Sequence, residues 1–315
     1  MVKIFSMSKT ALLFAGQGAQ VVGMGKDLAE KFPSAKNWFA RANAALGYDL
    51  AKICFEGPEA DLTKTENAQP GIFLVSWVAF QLLKEKSPHL KFEATAGLSL
   101  GEFTALTAAG AMSFEDGLRV VRARGKFMQD ACDVTQGGMA AIIGLDENLT
   151  REVCTEAGVV LANLNCPGQL VISGEAEKIT KACELARAKG AKRALALAVA
   201  GAYHSPLMAS AQPKLAAELA KINLVSPGVP VISNVTAQAH GDATEISVRL
   251  VEQVTSSVLW ENSMRYLLAQ GFTRFIELGP GTALSGFMKR IDKSATMLNV
   301  ADAASLEATV KILAT

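Results

Sequence analysis

Apolar residues in this chain come in short unbroken runs and in longer stretches with helical length and spacing, and the two alternate. The run ALLFAG, residues 11–16, is apolar throughout and ends in glycine, which predicts a buried strand entering a loop. GIFLVSWVAFQLLKEK, residues 71–86, has the length and pattern of a helix. FEATAGLS (92–99) is short and strand-like, and LGEFTALTAAGAM (100–112) is rich in helix formers and stops near Gly110. FEDGLRVVRARGKFMQDAC (114–132) predicts another helix, with Glu115 and Asp116 in its first turn. Short strands alternating with long helices predict an α/β fold: a large α/β-hydrolase-like domain whose mostly parallel sheet is covered on both faces.

The rhythm then changes. GMAAIIGL (138–145) reads as a strand and NLTREVCTEAG (148–158) as a helix. VVLANLN (159–165) and QLVISG (169–174) flank Cys166-Pro167-Gly168, a hairpin signal. AEKITKACELARAKG (176–190) is a helix closed by Gly190, and KRALALAV (192–199) is a last strand. The order βαββαβ is that of a ferredoxin-like unit. We expect an inserted ferredoxin-like subdomain at residues 134–203 and a discontinuous catalytic domain at residues 1–133 and 204–315. Beyond the insert come further helices, a strand at PVISNV (230–235), and FIELGPG (275–281), a strand running into a glycine-rich turn. Residues 1–9 read as an extension ahead of the first strand, with Met7 offering a second start.

Composition narrows the function class. Half of the 315 residues are hydrophobic, enough for one large core with a subdomain, and a net charge of +1 gives no field that would favour nucleic acid. Cys54, Cys132, Cys154, Cys166 and Cys183 are scattered, with no CxxC pair and no His/Cys cluster. They read as buried thiols in a reducing compartment, neither a disulfide frame nor a metal site. The N-terminal apolar stretch, residues 11–15, is too short for a signal peptide, and no segment approaches the ~18 apolar residues of a membrane span. The expectation is a cytoplasmic protein with no membrane partner and no nucleic-acid partner.

Gly97-Leu98-Ser99-Leu100-Gly101 carries the first candidate chemistry. A lone Gly-x-Ser-x-Gly is weak, and a serine here also serves as an ordinary helix N-cap. Its setting favours a nucleophile elbow, since it follows a predicted strand and opens a predicted helix. A serine nucleophile needs a base. His89 and His240 lie in polar, turn-like stretches and are expected to be exposed. His204, in AGAYHSPLM among small residues and a proline, is the candidate base.

With these motifs in view, the chain resembles the malonyl-CoA:acyl carrier protein transacylases of type II fatty acid synthesis. The resemblance rests on FAGQGAQ (14–20), GLSLGEF (97–103), RGKFMQ (124–129), NLNCPGQLVISG (163–174), AYHSPLM (202–208), VEQV (251–254) and ELGPG (277–281), in the family's order over nearly the whole chain. It implies Ser99 as nucleophile, His204 as general base, and Arg124 as the partner of the malonyl carboxylate. It implies an oxyanion hole from the backbone N–H groups of Gln17 and Leu100, and a backbone carbonyl at Gln253 that orients the histidine. Asn163 and Asn165 match residues near the active-site wall. Tyr203 matches a position where, in related acyltransferase domains, a bulky aromatic goes with malonyl and a small residue with methylmalonyl. The implied partners are malonyl-CoA and acyl carrier protein, the implied working form is a monomer, and no metal or cofactor is needed, coenzyme A thioester being a substrate. Leu98 departs from the histidine common before the nucleophile, which puts rate or acyl selectivity in doubt and leaves the reaction class alone.

Arg124 keeps two readings at this level. Its neighbours Arg119, Arg122 and Lys126 suggest a solvated basic face, and spacing alone favours that. A guanidinium that grips a carboxylate through two parallel hydrogen bonds is the other. Rival functions are an esterase of the α/β-hydrolase kind, which calls for a histidine nearer the C-terminus than His240, an acyltransferase serving a polyketide carrier, and a catalytically silent scaffold. Two basic runs, Arg187, Lys189, Lys192 and Arg193 on the insert and Lys289, Arg290 and Lys293 near the C-terminus, are candidate docking patches for an acidic carrier or plain solvated edges.

Overall fold

The computed structural model describes residues 9–314. Its strands, in chain order, are β1 (Lys9–Phe14), β2 (Ala94–Gly97), β3 (Gly137–Ile143), β4 (Val160–Cys166), β5 (Gln169–Glu175), β6 (Arg193–Ala196), β7 (Val231–Ile232), β8 (Phe272–Leu278) and β9 (Thr296–Val300). Five of them form a parallel sheet in the order β7-β2-β1-β8-β9. The apolar run at 11–14 explains why β1 sits at its centre. Leu12 and Phe14 enter the core on one face, and Ala11 and Leu13 enter a separate core on the other. A strand buried on both sides has no polar face to show, so its sequence loses the alternation of a half-exposed strand.

The remaining four strands form an antiparallel sheet in the order β4-β5-β3-β6, the ferredoxin-like arrangement. Here the alternation is kept. Ala140, Ile142, Leu170 and Ile172 pack under the helices Glu147–Ala157 and Ala176–Ala188. Met139, Ala141, Asn163, Asn165, Gln169 and Val171 face the opposite way and line a cleft against the parallel sheet. Backbone hydrogen bonds tie β4 to Val258, which lies in the segment ahead of the helix Trp260–Ala269. Val258 N–H donates to the Ala162 carbonyl (2.8 Å), Leu164 N–H donates to the Val258 carbonyl (3.0 Å), and Asn163 and Val258 form a parallel bridge.

Several elements differ from expectation, among them the strands expected at 192–199 and 230–235, which shorten to Arg193–Ala196 and Val231–Ile232. The helix placed at 71–86 spans Thr65–Lys86, because burial of Thr65, Ala68 and Gln69 carries it back through Pro70. Lys9 belongs to β1, while residues 1–8, with Met7, lie outside the described residues. The edge strand β9 was not anticipated, since only Leu298 and Val300 of its five residues are buried. No described helix is long and apolar enough to cross a membrane.

Candidate active site

Ser99 joins β2 to the helix Leu100–Ala108 with φ 53° and ψ −107°, a conformation that costs a non-glycine residue energy. The glycines on either side explain how the chain tolerates it. A Cβ on Gly97 would lie 1.9 Å from the Gly101 carbonyl carbon, and one on Gly101 would lie 2.3 Å from the Phe14 carbonyl oxygen. Strand, turn and helix are thus packed backbone to backbone. Asn234 braces the turn from the far side: its Oδ1 accepts from Ser99 N–H at 2.7 Å, and its Nδ2 donates to the Gly97 carbonyl at 2.8 Å.

The Ser99 hydroxyl lies 2.9 Å from His204 Nε2. His204 Nδ1–H donates to the Gln253 backbone carbonyl at 2.8 Å, which fixes Nε2 as the acceptor facing the serine. His204 also has a positive φ, 58°, so both members of the pair sit on strained backbone. Burial, then the nearby Arg124 charge, push the His204 pKa down to about 4, against the upward pull of its hydrogen bond to Gln253. The imidazole is therefore neutral, as a base must be.

Arg124 is 1% exposed, which overturns the basic-face reading. Arg119, Arg122 and Lys126 point outward, but Arg124 shares the buried face of its helix with Val121, Gly125 and Met128. Its Nη1 donates to Gln69 Oε1 (2.7 Å), and its Nη2 donates to Gln253 Oε1 (2.9 Å) and to the Ser99 hydroxyl (3.1 Å). All these partners are neutral, and Nε has no partner. Burial lowers its pKa to about 10, with Glu102 pulling the other way, so the guanidinium is still a cation at neutral pH.

Around this trio runs a cleft of about 720 Å³, lined by Gln17, Leu98, Ser99, Asn163, Asn165, Tyr203 and His204 among others. The Tyr203 hydroxyl is bonded to Thr65 Oγ1 at 2.6 Å and receives a long contact from Gln17 Nε2 at 3.5 Å. Asn165 Oδ1 is buried without a protein partner. Leu100 begins the helix that follows the serine, where first-turn N–H groups have no helical acceptor. Four participants were missed at the level of sequence. Gln69 and Asn234 lie far from the motif in the chain and carry no local signal. The Gln253 side chain adds a second role to its backbone carbonyl. His240, expected to be exposed, is buried beside Glu102 at 2.7 Å. The turn containing Ala237 (φ 54°) folds it back, with His240 N–H on the Val231 carbonyl, so a turn-like sequence gave the wrong burial.

Residues 11–308 match the acyl transferase domain family. The chain is 45% identical over 312 residues to a malonyl CoA-acyl carrier protein transacylase of Bacillus subtilis, covering 98% of both chains. It superposes on an acyl-carrier-protein-S-malonyltransferase from Bartonella henselae with a TM-score of 0.93 at 40% identity, over 98% of this chain and 100% of that one. A malonyl-transacylase solved in complex with its type II PKS acyl-carrier protein gives a TM-score of 0.94 at 39% identity, over 97% of this chain and 100% of that one.

Proposed function

The chain belongs to the acyl transferase domain family, among the malonyl-CoA:acyl carrier protein transacylases, and from that premise we propose how its own residues move a malonyl group. The reading is a ping-pong transfer from malonyl-CoA to the phosphopantetheine thiol of acyl carrier protein, supplying fatty acid synthesis. The observation that carries it is the Ser99 hydroxyl held between a neutral imidazole at 2.9 Å and a buried guanidinium at 3.1 Å.

In the first half, His204 Nε2 takes the Ser99 proton as Oγ attacks the thioester carbon. Ser99 N–H is already held by Asn234, so the oxyanion falls to the next N–H, that of Leu100, together with that of Gln17. Collapse breaks the carbon–sulfur bond, and the coenzyme A thiolate leaves with the proton from His204. In the second half, the carrier thiol gives its proton to His204 and its sulfur attacks the malonyl-serine ester. Ser99 then leaves with that proton. The Gln253 carbonyl holds the imidazolium in place of the aspartate of a full triad. Arg124 binds the malonyl carboxylate, Tyr203 bounds the acyl pocket, and Asn163 and Asn165 form its wall from the inserted unit, residues 134–203 in this reading. The test is intact-protein mass spectrometry after exposure to malonyl-, acetyl- and methylmalonyl-CoA in turn. One malonyl adduct on the peptide 97–103 is expected, and an adduct elsewhere ends the proposal. A silent scaffold takes up none.

The pH profile follows from the His204 environment. Only neutral His204 accepts the serine proton, and its pKa is held down at about 4 by burial and by Arg124. The kcat/KM for malonyl-CoA, measured as a function of pH, should therefore stay flat below the ordinary histidine value and fall as pH drops through about 4. A limb near ~6.5 would show a solvated histidine or a different base.

For carrier docking, the structure favours one of the two basic runs. On the insert, Lys189 is engaged by Glu152 at 3.1 Å and Glu156 at 3.7 Å, and Arg187 by the Ala194 carbonyl at 2.6 Å. Of the run Lys289, Arg290 and Lys293, the arginine reaches a residue that lines the cleft. Arg290 binds Gln169 and the Pro167 carbonyl, and Gln169 and Phe287 line the cleft. Reversing the charge of Lys289 and Lys293 should raise KM for an acidic carrier and leave malonyl-CoA kinetics alone, with the effect shrinking at high salt. Unchanged carrier kinetics would return these residues to a solvated edge.

A further inference from the structure

Arg124 is a buried cation with no ion-pair partner among the described residues. A carboxylate stands one side chain behind it. Glu102, fully buried, receives hydrogen bonds on Oε2 from Asn234 N–H (3.0 Å) and Gln253 Nε2 (2.6 Å), and its Oε1 lies 2.7 Å from His240 Nε2. Its Oε2 accepts from two donors, and its charge pulls the Arg124 pKa upward. Gln253 has one amide to share among Arg124, Glu102 and the Ser99 carbonyl, to which its Nε2 also donates at 3.0 Å. Glu102 accepts only, so it takes the NH₂ end, and the carbonyl end is left to Arg124 at 2.9 Å. The amide cannot flip without setting carbonyl against carboxylate and NH₂ against guanidinium.

We propose that Glu102 is a positioning residue for acyl selection, which pins the Gln253 amide toward Arg124 and serves as the fixed counter-charge of that guanidinium. It rests on the malonyl reading above. Glu102 lies beyond Gln253 from the acyl group and does not touch it. Its charge opposes the attraction between Arg124 and an incoming carboxylate, so the resting site holds malonyl less tightly than an unbalanced arginine would. Acetyl carries no carboxylate and does not sense that opposition. His240 supports Glu102 from behind and keeps an unpartnered Nδ1. That spare nitrogen matters for the test. In Glu102→Gln the new amide NH₂ can face His240 Nε2 once the ring proton moves to Nδ1, while its carbonyl keeps the bonds from Asn234 and Gln253. Shape and hydrogen bonds are preserved, and the charge alone is lost.

The experiment compares kcat/KM and KM for malonyl-CoA and acetyl-CoA in the whole enzyme, with melting temperature alongside. Glu102→Gln should lower KM for malonyl-CoA and raise the malonyl-to-acetyl ratio of kcat/KM by roughly five- to tenfold, the scale of one unit charge acting across a few hydrogen-bond lengths inside a protein. Glu102→Asp and His240→Gln both keep the carboxylate and should keep the wild-type ratio, whatever they cost in melting temperature. A ratio unchanged in Glu102→Gln, or both substrates slowed in parallel, overturns the proposal. If Glu102→Gln alone does not fold, the double variant Glu102→Gln with His240→Gln, whose amide oxygen can accept from the new amide, carries the test: a ratio raised above that of His240→Gln supports the proposal, and an equal ratio overturns it. A wild-type enzyme that takes up no malonyl group would instead sink the malonyl reading itself, so the two failures are distinct.

Discussion

Ser99→Ala should leave no acyl-enzyme after incubation with malonyl-CoA, and His204→Ala should slow its formation by roughly 10²-fold or more, the usual scale of general-base catalysis. The two losses differ for a geometric reason. In the proposed mechanism Ser99 Oγ is the atom that bonds to the acyl carbon, so its removal deletes the step. His204 Nε2, at 2.9 Å, only accepts the proton, and water can do that slowly. The remaining apparatus, Arg124 and the N–H groups at the helix start, still binds and polarises the thioester in the histidine variant. Rapid-quench mass spectrometry of the acyl-enzyme measures both. Acylation persisting in Ser99→Ala would move the nucleophile elsewhere, and a near-normal rate in His204→Ala would remove the base assignment.

Arg124→Ala should invert the substrate preference. A malonyl carboxylate beside Ser99 loses the cation that faces it and is left buried and unpaired. Breaking such a pair costs about 3–5 kcal/mol, or roughly 10²- to 10³-fold in kcat/KM. Acetyl-CoA loses nothing of that kind. It gains, because the guanidinium that depresses His204 is gone and the base becomes stronger. Arg124→Lys should recover only part of the malonyl activity, since an ammonium lacks the planar pair of donors. Steady-state kinetics on both thioesters decide the matter. Equal losses on malonyl and acetyl would make Arg124 structural, and full malonyl activity would send the search for the carboxylate partner elsewhere.

Arg124 also shows how sequence and structure divide the information. The spacing Val121, Arg124, Gly125, Met128 already places it on the buried stripe of its helix. Reading it with Arg119, Arg122 and Lys126 followed charge and ignored periodicity. Local patterns did locate β1, the elbow and the ferredoxin-like unit, because each is a short-range consequence of burial or of glycine sterics. The supporting shell was out of reach for the opposite reason. Asn234 meets Ser99 across 135 positions, and Gln69 meets Arg124 across 55. Nothing in the residues around Asn234 or Gln69 announces either partner. His240 failed similarly: a polar turn looks solvated until the carboxylate it serves is known.

The seam at Val258 has a mechanical consequence. From β4 it leads through Val258 to Leu259, whose N–H is bonded to the Asn234 carbonyl at 2.9 Å, and Asn234 grips the elbow. The wall that carries Asn163 and Asn165 is therefore tied to Ser99 across the cleft by a chain of hydrogen bonds. A jaw-like opening of the cleft would have to break them. Both thioesters have to thread their slender arms into a slot of fixed width. In that frame, room for a bulkier acyl group comes most directly from a smaller side chain at a lining position such as Tyr203, since loosening the frame would displace the serine along with the wall.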